Sequence, residues 1–445
     1  MECCRGYPSV LPYEGGTVVK VLMFGWEFPP YISGGLGTAC FGLTRGLAEK
    51  GTDILFVLPR LQTEHPESHV HLIGANKILV RNIRERIESF KEHVQTLEVD
   101  SPLMPYLSAK EYARVIEQLR KLSEEETREF AAGLSGNYGP DLMAEITRYS
   151  VIGGVIGAQE QFDVIHSHDW MTSLAGIEAK RSSGKPLVVH VHATEFDRSG
   201  EHMNQQVYDI ERAGIEAADR VIAVSHLTKE ILVNRYSISE DKIRVVHNAV
   251  SKEKSIQRLE LKRNLKEKVI LFLGRITFQK GPEYFIAAAR KVIRKVPDVR
   301  FVMAGSGDMF NRMVEMAAHL RIEKNFHFTG FLRGRQVERM YALSDLYVMP
   351  SVSEPFGIAP LEAMLYDIPV IVSKQSGVAE ILDHAVKVDF WDTNKLAKSI
   401  IDVLARPEQA REMVEKNSRQ LAEIKWEIAA DKTMAVYEEV AGGVK

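Results

Sequence analysis

LSDLYVMPSVSEPFGIAPLEAM, residues Leu343–Met364, carries in one stretch a short apolar run, a turn and the start of a helix. Leu346–Met349 is a strand candidate, Pro355-Phe356-Gly357 supplies the turn, and Ile358–Leu365 takes up helical spacing. The same alternation extends to both sides. Val269–Leu273, Val299–Ala304, Phe326–Thr329 and Pro369–Ser373 are further strand candidates. Helices Pro282–Lys295, Met309–Leu320 and Arg335–Ala342 fall between them. Short apolar strands alternating with helices are what a parallel sheet covered on both faces requires.

The first half of the chain repeats the pattern. Val18–Phe24 reads as a strand, Gly25–Gly37 as a loop, Thr38–Lys50 as a helix ending at Gly51, and Ile54–Leu58 as the next strand. Strand Val164–His166, helix Thr172–Arg181, and strands Leu187–His192 and Arg220–Val224 continue it. The charge-dense stretch between Arg81 and Arg148 interrupts the alternation and reads as a helical insertion. Ser251–Lys268 is polar and poor in apolar runs, which marks an interdomain connection. The expected fold is α/β, with two doubly wound, Rossmann-like domains facing across a cleft. They divide into residues 1–250, carrying the insertion at about 81–148, and residues 251–425.

With 445 residues, 45% hydrophobic and 26% charged, the chain has the composition of a folded globular protein, and neither a disordered nor a collagen-like chain fits. A formal charge of −3 gives no footprint for a nucleic-acid partner. The three cysteines, Cys3, Cys4 and Cys40, form no C-x-x-C pair, so a disulfide framework and a cysteine zinc site are both disfavoured. Residues 1–16 read as a loose extension without the apolar region of a signal peptide, and no stretch is apolar for the ~20 residues that span a bilayer. A cytoplasmic location without stable membrane insertion is the expectation.

Two groups of residues suggest chemistry. In GRITFQKGP, Arg275 follows a strand end and Lys280 precedes a helix that Pro282 can open, so both point to the crevice beyond the strand carboxyl ends. Two cations there suit a diphosphate, although surface salt bridges explain such a pair equally well. In SEPFGIAPLEAM, Glu354 sits at the turn and Glu362 about one turn inside the helix. Amides of Gly357 and Ile358 at the helix start suit a phosphate, Glu354 suits sugar hydroxyls and Glu362 a ribose. The bland reading makes both glutamates solvated. His166 with His168, and His190 with His192, are i, i+2 pairs that a strand places on one side, but neither pair has a third metal ligand at diagnostic spacing. Asp389–Asp392, DFWD, looks like an acidic metal motif, yet it lies before helix Asn394–Leu404, where structural roles are expected.

The stretch from Leu271 to Leu382 resembles the C-terminal half of retaining glycosyltransferases of the GT-B fold. The resemblance is carried by LGRITFQKG, AGSGD (Ala304–Asp308), FTGFL (Phe328–Leu332), SEPFGIAPLEAM and SGVAEIL (Ser376–Leu382). It implies that Arg275 and Lys280 bind a donor diphosphate, Glu354 the sugar and Glu362 the ribose. GWEFPPYISGGLGTACFGLTRGLAEKG is similar to the entrance loop of glycogen and starch synthases and their family 4 relatives, which implies that Gly34, Gly35 and Leu36 let the backbone approach the donor phosphates. The resemblance places His192, in VHATEFDRSG, beside the reacting sugar, while His190 fits a core role. It also makes WEIAADKTMAVYEEV, in residues 426–445, a last helix that crosses back onto the first domain. Two departures stand out: Ser33 where glycogen synthases often have lysine, and Met171 after HSHDW.

The resemblance implies a retaining hexosyltransferase passing glucose from ADP-glucose or UDP-glucose to the non-reducing end of an α-1,4-glucan, with no cofactor and no metal. A family 4 enzyme with a small sugar, lipid or glycoconjugate acceptor shares the donor motifs. A non-catalytic sugar-nucleotide sensor is the reading from another class. The donor base, the acceptor and the oligomeric state stay open.

Overall fold

A computed structural model describes residues 19–29, 34–61, 68–77, 134, 136, 142–251 and 266–442. The first domain holds a seven-stranded sheet of β1 (Lys20–Phe24), β2 (Asp53–Leu58), β3 (His71–Gly74), β4 (Val164–His168), β5 (Leu187–Val191), β6 (Arg220–Ala223) and β7 (Ile243–Val245). Its strands are parallel, in the order β3-β2-β1-β4-β5-β6-β7. The second domain holds β8 (Lys268–Leu273), β9 (Val299–Ala304), β10 (Phe326–Gly330), β11 (Leu346–Met349), β12 (Val370–Ser373) and β13 (Val386–Val388), parallel in the order β10-β9-β8-β11-β12-β13. These are two Rossmann-like, doubly wound domains.

Alternation along each strand builds a core on both faces. On β1, Leu22 and Phe24 enter one cluster with Tyr149, Ile152 and Val189, while Val21 and Met23 enter the opposite one with Leu43, Phe56 and Tyr437. Both faces are dry, so the strands read as continuous apolar runs rather than as an alternating pattern.

Several elements depart from the sequence reading. β3, β7 and β13 were not expected: each is an edge or near-edge strand of three or four residues, too short for a periodicity. The first helix spans Gly35–Glu49 and so takes in glycines assigned to the loop, with the amide of Gly34 held by Glu27 Oε2 at 3.1 Å. Helix Leu142–Gln159 overruns the expected insertion boundary at Arg148. Its buried residues, among them Tyr149, Ile152 and Ile156, pack it on helix Trp170–Ser183 as part of the main layer. The rest of the insertion, apart from Leu134 and Gly136, lies outside the described residues, as do residues 1–16 with Cys3 and Cys4, Ser33, and most of the Ser251–Lys268 connection.

Helix Trp426–Ala441 lies against helix Gly35–Glu49 of the first domain, with Trp426, Ala430 and Tyr437 in its core. Sequence makes the crossing close. A Cβ on Gly42 would stand 2.1 Å from the Trp426 ring, and one on Gly46 2.8 Å from the Trp426 carbonyl. Elsewhere between the domains, Glu380 accepts the amides of His226 and Leu227 at 2.9 and 2.8 Å and meets His247 Nε2 at 2.9 Å.

Candidate active site

In each sheet the winding reverses between two neighbouring strands, β1 and β4 in the first and β8 and β11 in the second, and ligands of open α/β sheets sit beyond the carboxyl ends at such points. The loops leaving these four strands line a single cavity of about 1180 Å³ between the domains. The residues to which the sequence reading gives a role at the donor are all there: Gly34, Gly35, Leu36 and His192 from the first domain, and Arg275, Lys280, Glu354, Gly357, Ile358 and Glu362 from the second; His166, His168, His190, Asp389 and Asp392 are not among the lining residues.

On the second-domain side, the loop after β8 ends in the turn Phe278–Lys280 and Gly281, which has φ +61°. One Arg275 guanidinium N–H donates to Gln279 Oε1 at 3.2 Å, leaving its other donors for a ligand. Lys280 Nζ pairs with Glu354 Oε2, to which Ser351 Oγ also donates at 3.1 Å. The amide of Val352 donates to the Gln279 carbonyl at 2.9 Å and ties the two loops together. Glu354 is only 5% exposed, and its backbone is held on both sides, its amide by Gln375 O and its carbonyl by Gly377 N. The surface salt bridge and the solvated loop glutamate are therefore both excluded: this is a desolvated pair joining the ends of two strand loops.

Helix Ala359–Leu365 starts after Ile358 and places Glu362 in its first turn. Tyr341 Oη donates to Glu362 Oε2 at 2.8 Å, and burial pushes this carboxyl above its ordinary range. Two further lining residues, Phe331 and Arg333, escaped the sequence reading, because an exposed aromatic in a loop carries no signal. The Phe331 ring is 47% exposed, with the Arg333 guanidinium 5.2 Å from its centroid. That is a flat cationic and aromatic surface suited to a heterocycle.

On the first-domain side, Asp169 is the residue that sequence reasoning passed over inside HSHDW. It adopts φ +59°, and its Oδ1 accepts the amides of His192 at 2.6 Å and Ala193 at 3.2 Å, fixing the loop after β5. Burial raises its carboxyl to about 6, against the opposing pull of Arg198 and the two amides.

Strand register sets His168 opposite His190, so the two histidine pairs become one stacked group. Ring centroids lie 4.4 Å apart for His166 and His168 and 4.3 Å for His190 and His192, with interplanar angles of 20° and 18°. Burial holds His166 and His192 down to about 3 and His168 and His190 well below the ordinary histidine range, so all four are neutral at pH 7. His168 Nδ1 and His192 Nε2 share a hydrogen bond of 2.9 Å, and His166 Nδ1 meets Tyr437 Oη at 2.5 Å. The sheet thus supplies the third nitrogen that spacing along the chain did not: ring nitrogens of His166, His168 and His190 lie within 4.8 Å of one another, as do candidate ligand atoms of Cys40, His168 and His192. A metal must lie in the plane of each ring at ~2.0–2.1 Å from its nitrogen. Rings stacked face to face, as His166 is on His168, have planes that meet far beyond that reach, so the His166, His168 and His190 set does not converge on an ion as it stands. The Cys40, His168 and His192 set is not excluded in this way, since its two rings are tilted by 35°. Asp389 and Asp392 are occupied elsewhere, the first by Lys374 at 2.9 Å and the second as the cap of helix Thr393–Ala405.

Comparison with known proteins places this geometry. The sequence profile of the glycosyl transferases group 1 matches residues 253–420, and that of glycosyltransferase family 4 matches residues 151–254. An uncharacterized glycosyltransferase of Methanocaldococcus jannaschii is 29% identical over 438 residues, covering 94% of this chain and 98% of its own. The alpha-maltose-1-phosphate synthase of Mycolicibacterium smegmatis is 30% identical over 74% of this chain and 94% of its own. A glycogen synthase of Mycobacterium tuberculosis is 23% identical over 94% of both chains. Among solved structures, sucrose-phosphate synthase from Thermosynechococcus elongatus superposes with a TM-score of 0.70 at 18% identity, covering 96% of this chain and all of that one.

Proposed function

Because the chain belongs to the group 1 glycosyltransferases and has their GT-B arrangement of two Rossmann-like domains, we propose that it transfers glucose from ADP-glucose or UDP-glucose to the non-reducing end of an α-1,4-glucan, with retention of configuration. The observation that carries the donor half of this reading is the convergence of Arg275, Lys280, Glu354 and Glu362 on one interdomain cavity. Arg275 and Lys280 hold the diphosphate, with the backbone at Gly34, Gly35 and Leu36 approaching it from the other domain. Glu354 holds the sugar, Glu362 the ribose, and the Phe331 face receives the base. Negative charge that grows on the leaving phosphate is met by cations already in place, which is where electrostatic stabilisation accelerates a reaction. The reaction follows front-face attack: the acceptor oxygen bonds to the anomeric carbon on the side the phosphate leaves, and the phosphate takes the acceptor proton. His192 lines the sugar position, its loop fixed by Asp169.

Support for the glucan acceptor is the joint presence of GWEFPPYISGGLGTA, HSHDW and EPFGIAPLE, together with similarity to a glycogen synthase along nearly the whole chain. The synthase of alpha-maltose 1-phosphate among the relatives favours a second reading, a small or phosphorylated sugar acceptor. No helix among the described residues is long and apolar enough to cross a membrane. Purified protein is given each nucleotide sugar with maltooligosaccharides or with glucose 1-phosphate, and the products are separated by chromatography. A ladder growing one glucose at a time is expected. A single disaccharide phosphate, or donor hydrolysis alone, overturns the glucan acceptor.

Turnover is expected to survive EDTA, since the cations Arg275 and Lys280 stand where a metal would otherwise meet the diphosphate. Loss of activity restored by one divalent ion overturns the metal-free reading. His192→Ala is expected to lower kcat by at least about tenfold more than His190→Ala, the scale of one lost contact of ~1.4 kcal/mol to the reacting sugar. His190, 1% exposed and away from the cavity lining, contributes packing instead. Equal losses of kcat in the two variants, compared at matched thermal midpoints, assign the whole stack to structure.

A further inference from the structure

Ser353, the residue before Glu354, reaches across the cleft. Its Oγ donates to Asp197 Oδ1 of the first domain at 2.5 Å. Asp197 is 1% exposed, and its other oxygen, Oδ2, accepts the amide and the hydroxyl of Thr194 at 2.8 and 2.7 Å. The Asp197 amide returns a bond to Thr194 Oγ1 at 3.3 Å, closing a capping box on the short helix Glu195–Ser199. The same helix packs on the turn Phe278–Lys280. One small segment of the first domain, beginning two residues after His192, therefore touches both loops that carry the donor-side charges.

We propose that the Ser353 hydroxyl and the Asp197 carboxylate form the latch of the closed cleft, a positioning pair that sets Glu354 opposite His192. The inference rests on the roles given above to those two residues. Ser353 acts through the peptide it shares with Glu354, and Asp197 acts through Thr194 on the His192 loop. Opening the cleft exchanges this bond for bonds to water, so the closed register is favoured by the net worth of one charge-assisted hydrogen bond. Glu354 keeps its other supports, Lys280, Ser351 and the backbone bonds to Gln375 and Gly377, when the latch is broken. Breaking it therefore loosens the register of the two domains rather than the donor loop.

Ser353→Ala and Ser353→Thr separate this from a general structural role. In the alanine variant kcat is expected to fall about tenfold with the KM for the nucleotide sugar within about twofold, the scale of one charge-assisted hydrogen bond. Threonine, which keeps the hydroxyl, is expected to restore kcat. Amide hydrogen exchange over residues 194–200 in the free protein is expected to be faster in the alanine variant and normal in the threonine one. Wild-type kcat or wild-type exchange in Ser353→Ala overturns the latch, as does a loss of kcat that threonine does not rescue. The exchange contrast needs no turnover, so a protein that consumes neither nucleotide sugar sinks the proposed activity and leaves the latch to be decided by exchange alone.

Discussion

Replacing Lys280 by alanine is expected to lower kcat by about 10²-fold or more, the scale of one strong electrostatic donor at the leaving group. The lysine is held by a glutamate that is 5% exposed, so in the free protein its charge is already placed and mostly desolvated. Little reorganisation is then needed as charge develops on the departing phosphate. The substitution has a second effect, because it strands the Glu354 carboxylate, and breaking one side of a buried pair typically costs ~3–5 kcal/mol of stability. The two effects part in the double variant Lys280→Ala/Glu354→Gln, where the stranded charge is gone. Its thermal midpoint is expected to recover, which assigns the stability loss to the stranded charge, while kcat is expected to fall below that of Glu354→Gln alone. Glu354→Gln alone is expected to impair turnover and leave calorimetric binding of free nucleotide nearly intact, since the nucleotide lacks the sugar. A folded Lys280→Ala protein with unchanged kcat removes the diphosphate assignment. Collapse of nucleotide affinity in Glu354→Gln exchanges the roles of Glu354 and Glu362.

Gly281→Ala is the second substitution with a large expected effect, this time on folding. Gly281 adopts φ +61°, ψ +43°, a left-handed conformation that costs an L-residue roughly 1–2 kcal/mol. A Cβ there would also stand 2.2 Å from the carbonyl oxygen of Pro350, which opens the loop carrying Glu354. Backbone cannot yield as a flexible side chain can, so one of the two site loops must move. A destabilisation of roughly 3 kcal/mol or more is expected, in the range reserved for strain at a special backbone position. A thermal midpoint within a degree or two of the parent shows that the loops are not packed as described. A lower midpoint should come with lost turnover, because Lys280 is the neighbouring residue.

How much of this was legible in the sequence depends on where each signal resides. The strands of both sheet centres were readable because burial on two faces makes them continuous apolar runs, as in Val269–Leu273 and Leu187–Val191. Edge strands such as β3, with its pattern of exposed and half-buried residues, carry no such run. Arg275 with Lys280, and Glu354 with Glu362, stood out because each pair lies close together in sequence, on the loops after β8 and β11. Asp169 was missed because its role depends on a left-handed backbone and on amides twenty-three and twenty-four positions away. Spacing along the chain also undercounted the histidines. His168 and His190 become neighbours only through the register of β4 on β5, which is also what brings ring nitrogens of His166, His168 and His190 within 4.8 Å of one another.

The helix Trp426–Ala441, seated on Gly42 and Gly46, gives the molecule an asymmetry that matters to anyone recombining it. The chain's last helix belongs, in space, to its first sheet. A chimera that borrows a new second sheet must therefore keep the host's own tail, since the Trp426 ring and the groove left by two missing side chains are matched to each other. Cut between the sheets, the chain yields no self-sufficient modules: the first piece would show water the bare flank that Ala430, Val436 and Tyr437 now cover, and the second would trail an apolar helix with nothing to lie on. A graft that exchanges the second sheet and its site loops takes the middle of this sequence, not its end.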